Sequence, residues 1–209
     1  MTTALPIVAR PKPMFLGYAL KAYLPRPTWH EDQRVRFIGS VTECNAARPD
    51  GWTDRWDFNA AGYYETPEDA EAACCGELSR DRFAMFAYEL FPLRFFGGHV
   101  AAVQEAAVFE DGVQVASRHL APGFEFIGYD AVERWAEPTP GKVMERALAG
   151  GFGCSPLYCN SLSKEHPVNS YCLVSEWSEA VAAAHRFGIE QPEPGCYYVF
   201  GVYLRAPNC

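Results

Sequence analysis

Cys154, Cys159, His166 and Cys172 fall within nineteen residues of one another, and thiolates with an imidazole are ligands that suit tetrahedral zinc. The gaps of four, six and five residues between them match neither a zinc-finger nor a ribbon pattern. Reduced thiols acting as small hydrophobes are therefore the default reading, with zinc the alternative. A second chemistry uses Cys159 as a nucleophile beside Asn160, with His166 or a nearer histidine as the base that lowers the effective pKa of the thiol. Nothing in the linear chain brings these groups together, and His185 sits in a helical pattern that suits packing better than proton transfer.

Trp29-His30-Glu31-Asp32 and Trp52-Thr53-Asp54-Arg55-Trp56-Asp57 combine rigid aromatic area with acids between predicted elements. Such composition anchors protein interfaces, so Trp29, Trp52, Asp54, Trp56 and Asp57 are the candidate partner-binding residues. The bland alternative is that the two tryptophans of the second loop cover the edge of the core. The chain contains no Walker loop, dinucleotide glycine fingerprint, Gly-x-Ser-x-Gly elbow, His-Glu-x-x-His pair or calcium loop, so no cofactor is implied. Gly150-Gly151-Phe152-Gly153 lacks the lysine that completes a phosphate loop. Glu65, Glu68, Asp69 and Glu71 cluster where the positive end of a helix dipole attracts acids.

The elements that would position these residues follow from local patterns. Gly17 to Leu24 reads as a first strand stopped by Pro25 and Pro27, and Arg34 to Gly39 as a half-exposed one. Ala61 to Tyr64 is a short strand candidate. Thr66 then caps a helix whose first turn holds Pro67. Phe83 to Tyr88 is apolar on both faces, as a strand inside a sheet must be. Asp111-Gly112 predicts a hairpin over residues 102–118, Gly123 to Tyr129 a strand, and Lys142 to Leu148 a short helix or loop. Tyr171 to Val174 reads as a strand, Ser175 to Phe187 as a helix with Trp177, Val181, Ala184 and Phe187 on one face, and Tyr197 to Leu204 as a buried strand. These patterns predict one α+β domain, a mixed and largely antiparallel sheet of six to eight strands with two main helices.

Phe37-Ile38-Gly39 recurs as Phe126-Ile127-Gly128, and Cys44-Asn45 as Cys159-Asn160, each ahead of a tyrosine-rich strand and a helix. Either a common supersecondary pattern recurs by chance, or two related α/β halves, residues 14–96 and 123–205, pack about a dyad with a cleft between them. The segments Phe124-Glu125-Phe126-Ile127-Gly128-Tyr129-Asp130, Ser155-Pro156-Leu157-Tyr158-Cys159-Asn160 and Glu193-Pro194-Gly195-Cys196-Tyr197 also resemble an uncharacterised family of small bacterial proteins. That resemblance implies a bacterial setting and no substrate or catalytic residue.

The 209 residues carry 26 acids against 18 bases, a net charge of −8. That balance argues against sequence-independent nucleic-acid binding, which needs clustered bases to displace counterions, and suits a cationic partner. Fourteen of the bases are arginine and four lysine, a bias that points to a GC-rich, bacterial coding sequence. The amino terminus has no apolar core of a secretory signal, and Phe83 to Phe96 is broken by Glu89, Pro92 and Arg94, so no membrane span is expected. A cytoplasmic, non-catalytic protein-binding module, of the immunity or antitoxin-like inhibitor type, is the expectation. The alternative is a small-molecule enzyme with a thiol-dependent or metal-assisted site in a cleft between the halves.

Overall fold

Apolar runs in which neither face is polar must be covered on both sides, and in this chain they form the centre of a sheet. The computed structural model describes residues 7–22, 35, 63–73, 83–103, 119–134, 155–159, 165–189 and 195–205. In chain order their elements are β1 (Met14–Ala22), α1 (Pro67–Ala73), β2 (Phe83–Phe96), β3 (His99–Ala102), β4 (Phe124–Arg134), α2 (Pro156–Cys159), α3 (Trp177–Phe187) and β5 (Cys196–Arg205). The five strands form one sheet in the order β1-β2-β5-β4, with β3 folded back on β2. Every pairing among them is antiparallel. The protein is an α+β fold with two main helices, α1 and α3, and α2 is a single turn.

Both helices lie on one face of the sheet. Ala70 of α1 packs with Tyr18, Met85 and Ala87. Ala180, Val181, Ala183, Ala184 and Phe187 of α3 pack with Phe91, Phe95, Tyr197 and Val199. The alternate residues Phe86, Tyr88, Leu90, Tyr198, Phe200 and Val202 are buried on the opposite face. The start of α1 is the predicted one: the Asp69 amide donates to Thr66 Oγ1 at 3.1 Å, which satisfies one otherwise free N–H of the first turn. His185 is buried, and its Nε2 donates to the Gly98 carbonyl at 3.1 Å, tying α3 to the Gly97-Gly98 turn between β2 and β3.

Gly17, Tyr88, Val202 and Gly128 form one row across the sheet. The register shifts beside both glycines, whose φ angles are 133° and 143°. The next residue after each makes an isolated bridge, Tyr18 with Tyr64 and Tyr129 with Val174. The Phe15 and Tyr18 rings meet edge-on at 5.1 Å and 63°, and those of Phe126 and Tyr129 at 4.8 Å and 62°. The described sheet thus has an approximate two-fold through the Tyr88–Val202 pair. Across it, Phe126-Ile127-Gly128 faces Phe15-Leu16-Gly17. Phe37-Ile38-Gly39 and Cys44-Asn45 lie outside the described residues.

Several expected elements differ. Tyr171 to Val174 is a tight turn and not a strand: Cys172 has φ 60° and only Val174 bridges to β4. The Asn169 side chain outcompetes strand pairing there, because its Oδ1 accepts from the Tyr171 and Leu173 amides at 2.9 and 3.2 Å. Strand β2 runs on to Phe96 and turns back through Gly97-Gly98, a two-residue hairpin loop of the kind that needs positive φ. Of residues 34–39 only Val35 is described, and it is buried. The hairpin at Asp111-Gly112 and the helix at 142–148 lie outside the described residues. Among those described, no helix is long and apolar enough to cross a membrane.

Candidate functional site

On the helix-bearing face, the row Glu89, Gly201, Tyr129 crosses β2, β5 and β4. Directly paired residues project to the same side, so the absent side chain of Gly201 leaves a niche with Glu89 and Tyr129 as opposite walls. A Cβ at Gly201 would stand 3.5 Å from the Phe91 and Tyr203 rings and 3.7 Å from Glu89 Cβ, which identifies the remaining walls. Phe126, 43% exposed, closes the rim against Tyr129 and Tyr203 at 4.8 and 5.4 Å between ring centroids. Trp177 closes it on the α3 side, 4.8 Å from Phe91 and 5.7 Å from Tyr129.

The polar groups of the niche are few and specific. Tyr203 Oη donates to Glu89 Oε2 at 2.6 Å, and among the described residues no basic group forms an ion pair with Glu89. Arg10, on the exposed arm ahead of β1, donates from Nη1 to Tyr129 Oη at 2.9 Å. Its guanidinium lies 5.3 Å from the Phe91 ring centre and 5.9 Å from that of Tyr129, a cation–π arrangement. The arm is pinned by Trp177, whose Nε1 donates to the Val8 carbonyl at 2.9 Å. The two-fold counterpart differs: there Tyr18 Oη accepts from the Ala121 amide at 2.8 Å, and Arg205, over the Phe124 ring, is ion-paired with Glu71.

Burial pushes the Tyr129 hydroxyl above the ordinary tyrosine value of 10.0, with Arg10 opposing and Glu176 and Glu89 reinforcing the shift. Burial also raises Tyr203, helped by its hydrogen bond to Glu89 and by the charge of that carboxylate. Both stay protonated where unfolded-chain tyrosines ionise. The stability linked to them is complete below pH 10.0 and is lost as pH rises beyond it. Urea midpoints measured from neutral pH upward should fall more gently above pH 10.0 in Tyr203→Phe than in the parent chain. Equal slopes would mean that Tyr203 titrates as an exposed phenol.

The residues singled out by sequence fare differently. Cys172 is buried, and its thiol donates to the Leu157 carbonyl at 3.4 Å, which makes it a packed core residue. His166 meets Phe187 edge-on at 5.4 Å between ring centres. Cys159 ends α2, with its side chain outside the described part, and Cys154, Asn160, Trp29, Trp52, Asp54, Trp56 and Asp57 lie outside it altogether. Among the described residues no group of three or more His, Cys, Asp or Glu is placed to hold a metal ion. Asp130 and Ser155, both fully buried, share a 2.5 Å hydrogen bond that ties the start of α2 to β4.

Fold and site together define an α+β protein with an aromatic, carboxylate-bearing niche between two helices. No protein-family model matches the chain, and no curated protein and no solved structure is detectably similar to it.

Proposed function

We propose that this chain is a non-catalytic, cytoplasmic protein-binding module that recognises a cationic partner, in the manner of a bacterial immunity or antitoxin-like inhibitor. The observation that carries the reading is the half-open aromatic cluster of Phe126, Tyr129 and Tyr203 gathered on the Glu89 carboxylate. Large rigid rings next to a fixed charge supply most of the energy in protein interfaces. The exposed Glu176 adds its charge beside Tyr129, and the overall charge of −8 favours encounter with a basic surface. Trp29, Trp52, Asp54, Trp56 and Asp57 remain the sequence-derived candidates for extending the contact.

Capture from the native host at low salt should recover one stoichiometric, basic protein whose binding weakens as salt is added. Phe126→Ala should cost on the order of 2 kcal/mol of that affinity, as a central aromatic anchor does. The residue is open to solvent, so its removal spares the core. Absence of any stoichiometric partner, or a partner indifferent to Phe126→Ala, would count against the reading.

A further inference from the structure

We infer that the niche over Gly201 takes the guanidinium of an arginine side chain from the partner, and that Arg10 is its internal occupant. The inference rests on the binding-module reading and names the chemistry that the site recognises. The walls are one carboxylate and three rings, Glu89, Phe91, Tyr129 and Tyr203, around a position without a side chain. A ring face and a carboxylate edge are the two surfaces that a planar guanidinium satisfies at once, by stacking and by paired N–H donors. Tyr203 donates to one Glu89 oxygen, Oε2. Among the described residues none donates to Oε1, which is placed to receive an incoming N–H.

The chain displays this preference itself. The Arg10 guanidinium rests over Phe91 and Tyr129, two of the four walls, and donates to the hydroxyl of one of them. It makes no ion pair with a described acid, whereas Arg205, stacked over the Phe124 ring, is tied to Glu71. Arg10 is also exposed, on an arm outside any strand or helix that meets α3 through the hydrogen bond from Trp177 to Val8 and the packing of Val8 against the core. A guanidinium so held is one that a better-placed guanidinium, able to reach Glu89, replaces. Its occupancy lowers the apparent affinity for the incoming group by the fraction of time the niche is filled.

The probe is N-acetyl-arginine amide, titrated into the full chain and followed by amide chemical shifts of β2, β4 and β5, with the lysine and citrulline analogues alongside. The parent chain should bind the arginine probe weakly and Arg10→Ala about tenfold more tightly, since the internal competitor is gone. The neutral citrulline analogue should not bind. Glu89→Gln placed in the Arg10→Ala chain should abolish the gain, while its amide oxygen still accepts from Tyr203 and keeps the fold. Gly201→Ala, whose Cβ meets its neighbours at ordinary contact distance, should weaken the probe with a native-like spectrum. Equal or weaker binding by Arg10→Ala, or citrulline binding as well as arginine, would overturn the inference. A captured basic partner indifferent to Arg10→Ala and Glu89→Gln would also overturn it and leave the binding-module reading standing. Failure to capture any partner strikes that broader reading and leaves the titration to decide the niche.

Discussion

Gly128→Ala should be the most damaging single-methyl change on β4, costing about 4 kcal/mol from backbone strain and overpacking together. The φ of 143° lies in a region that L side chains avoid. A Cβ there would stand 2.8 Å from Leu173 Cβ and 3.0 Å from both Asn169 Nδ2 and the Val174 carbonyl oxygen. None of these atoms ends a free, flexible side chain, because the Asn169 amide is itself hydrogen-bonded at 2.7 Å to the Ile127 carbonyl. Gly123 provides the control: its φ is 86°, and a Cβ would meet nothing within 4 Å. Gly123→Ala should therefore cost about 1 kcal/mol, the conformational part alone. Urea unfolding of the two variants measures the difference, and equal losses would show that close approach contributes nothing at Gly128. For a protein whose total stability is around 5–15 kcal/mol, the larger loss reaches function as well as folding.

What the sequence disclosed is what local chemistry encodes. Tyr197 to Leu204 and Phe83 to Tyr88 are strands because aromatic and β-branched residues fill both faces, and Thr66-Pro67 starts a helix because a hydroxyl and a missing N–H suit its first turn. The niche was hidden for a different reason. Glu89, Gly201 and Tyr129 meet only through the β2–β5 and β4–β5 registers, between residues more than a hundred positions apart for β2 and β5. A single sequence carries no register between distant strands. One sign was present: a lone glutamate in the apolar run Phe83 to Phe96 is the kind of half-buried charge that calls for a reason.

The approximate two-fold of the described sheet teaches the same lesson. Phe126-Ile127-Gly128 invites a match with the identical Phe37-Ile38-Gly39, whereas the sheet sets it opposite Phe15-Leu16-Gly17, where one residue differs. What makes the positions equivalent is a glycine with positive φ beside a register shift. Identity of letters does not report that geometry. The Gly97-Gly98 turn was legible in principle, since a glycine pair between two strands satisfies a two-residue hairpin. The apolar run that precedes it, read as ending near Tyr88, concealed the second strand.

Asn169→Ala should cost about 3 kcal/mol, because it strips partners from three polar groups of a half-buried turn at once. Its Oδ1 accepts from the Tyr171 and Leu173 amides, and its Nδ2 donates to the Ile127 carbonyl. These bonds hold Cys172 at φ 60°, a conformation that a non-glycine residue keeps only when its surroundings enforce it. They also present Val174 to Tyr129, whose amides and carbonyls exchange bonds at 2.7 and 2.9 Å. Losing the turn should loosen Tyr129, and with it one wall of the niche, so hydrogen exchange at the Tyr129 and Val174 amides should accelerate together. Asn169→Asp keeps the two accepted bonds and loses the donated one, and should retain most of that protection. Since Asn169 Nδ2 is one of the atoms that a Cβ at residue 128 would strike, the two substitutions share a site. Combined, Gly128→Ala and Asn169→Ala should destabilise by less than their sum, by about 1 kcal/mol. Strict additivity would mean that the turn and the β4 bulge are held independently, and that Tyr129 owes its position to the sheet alone.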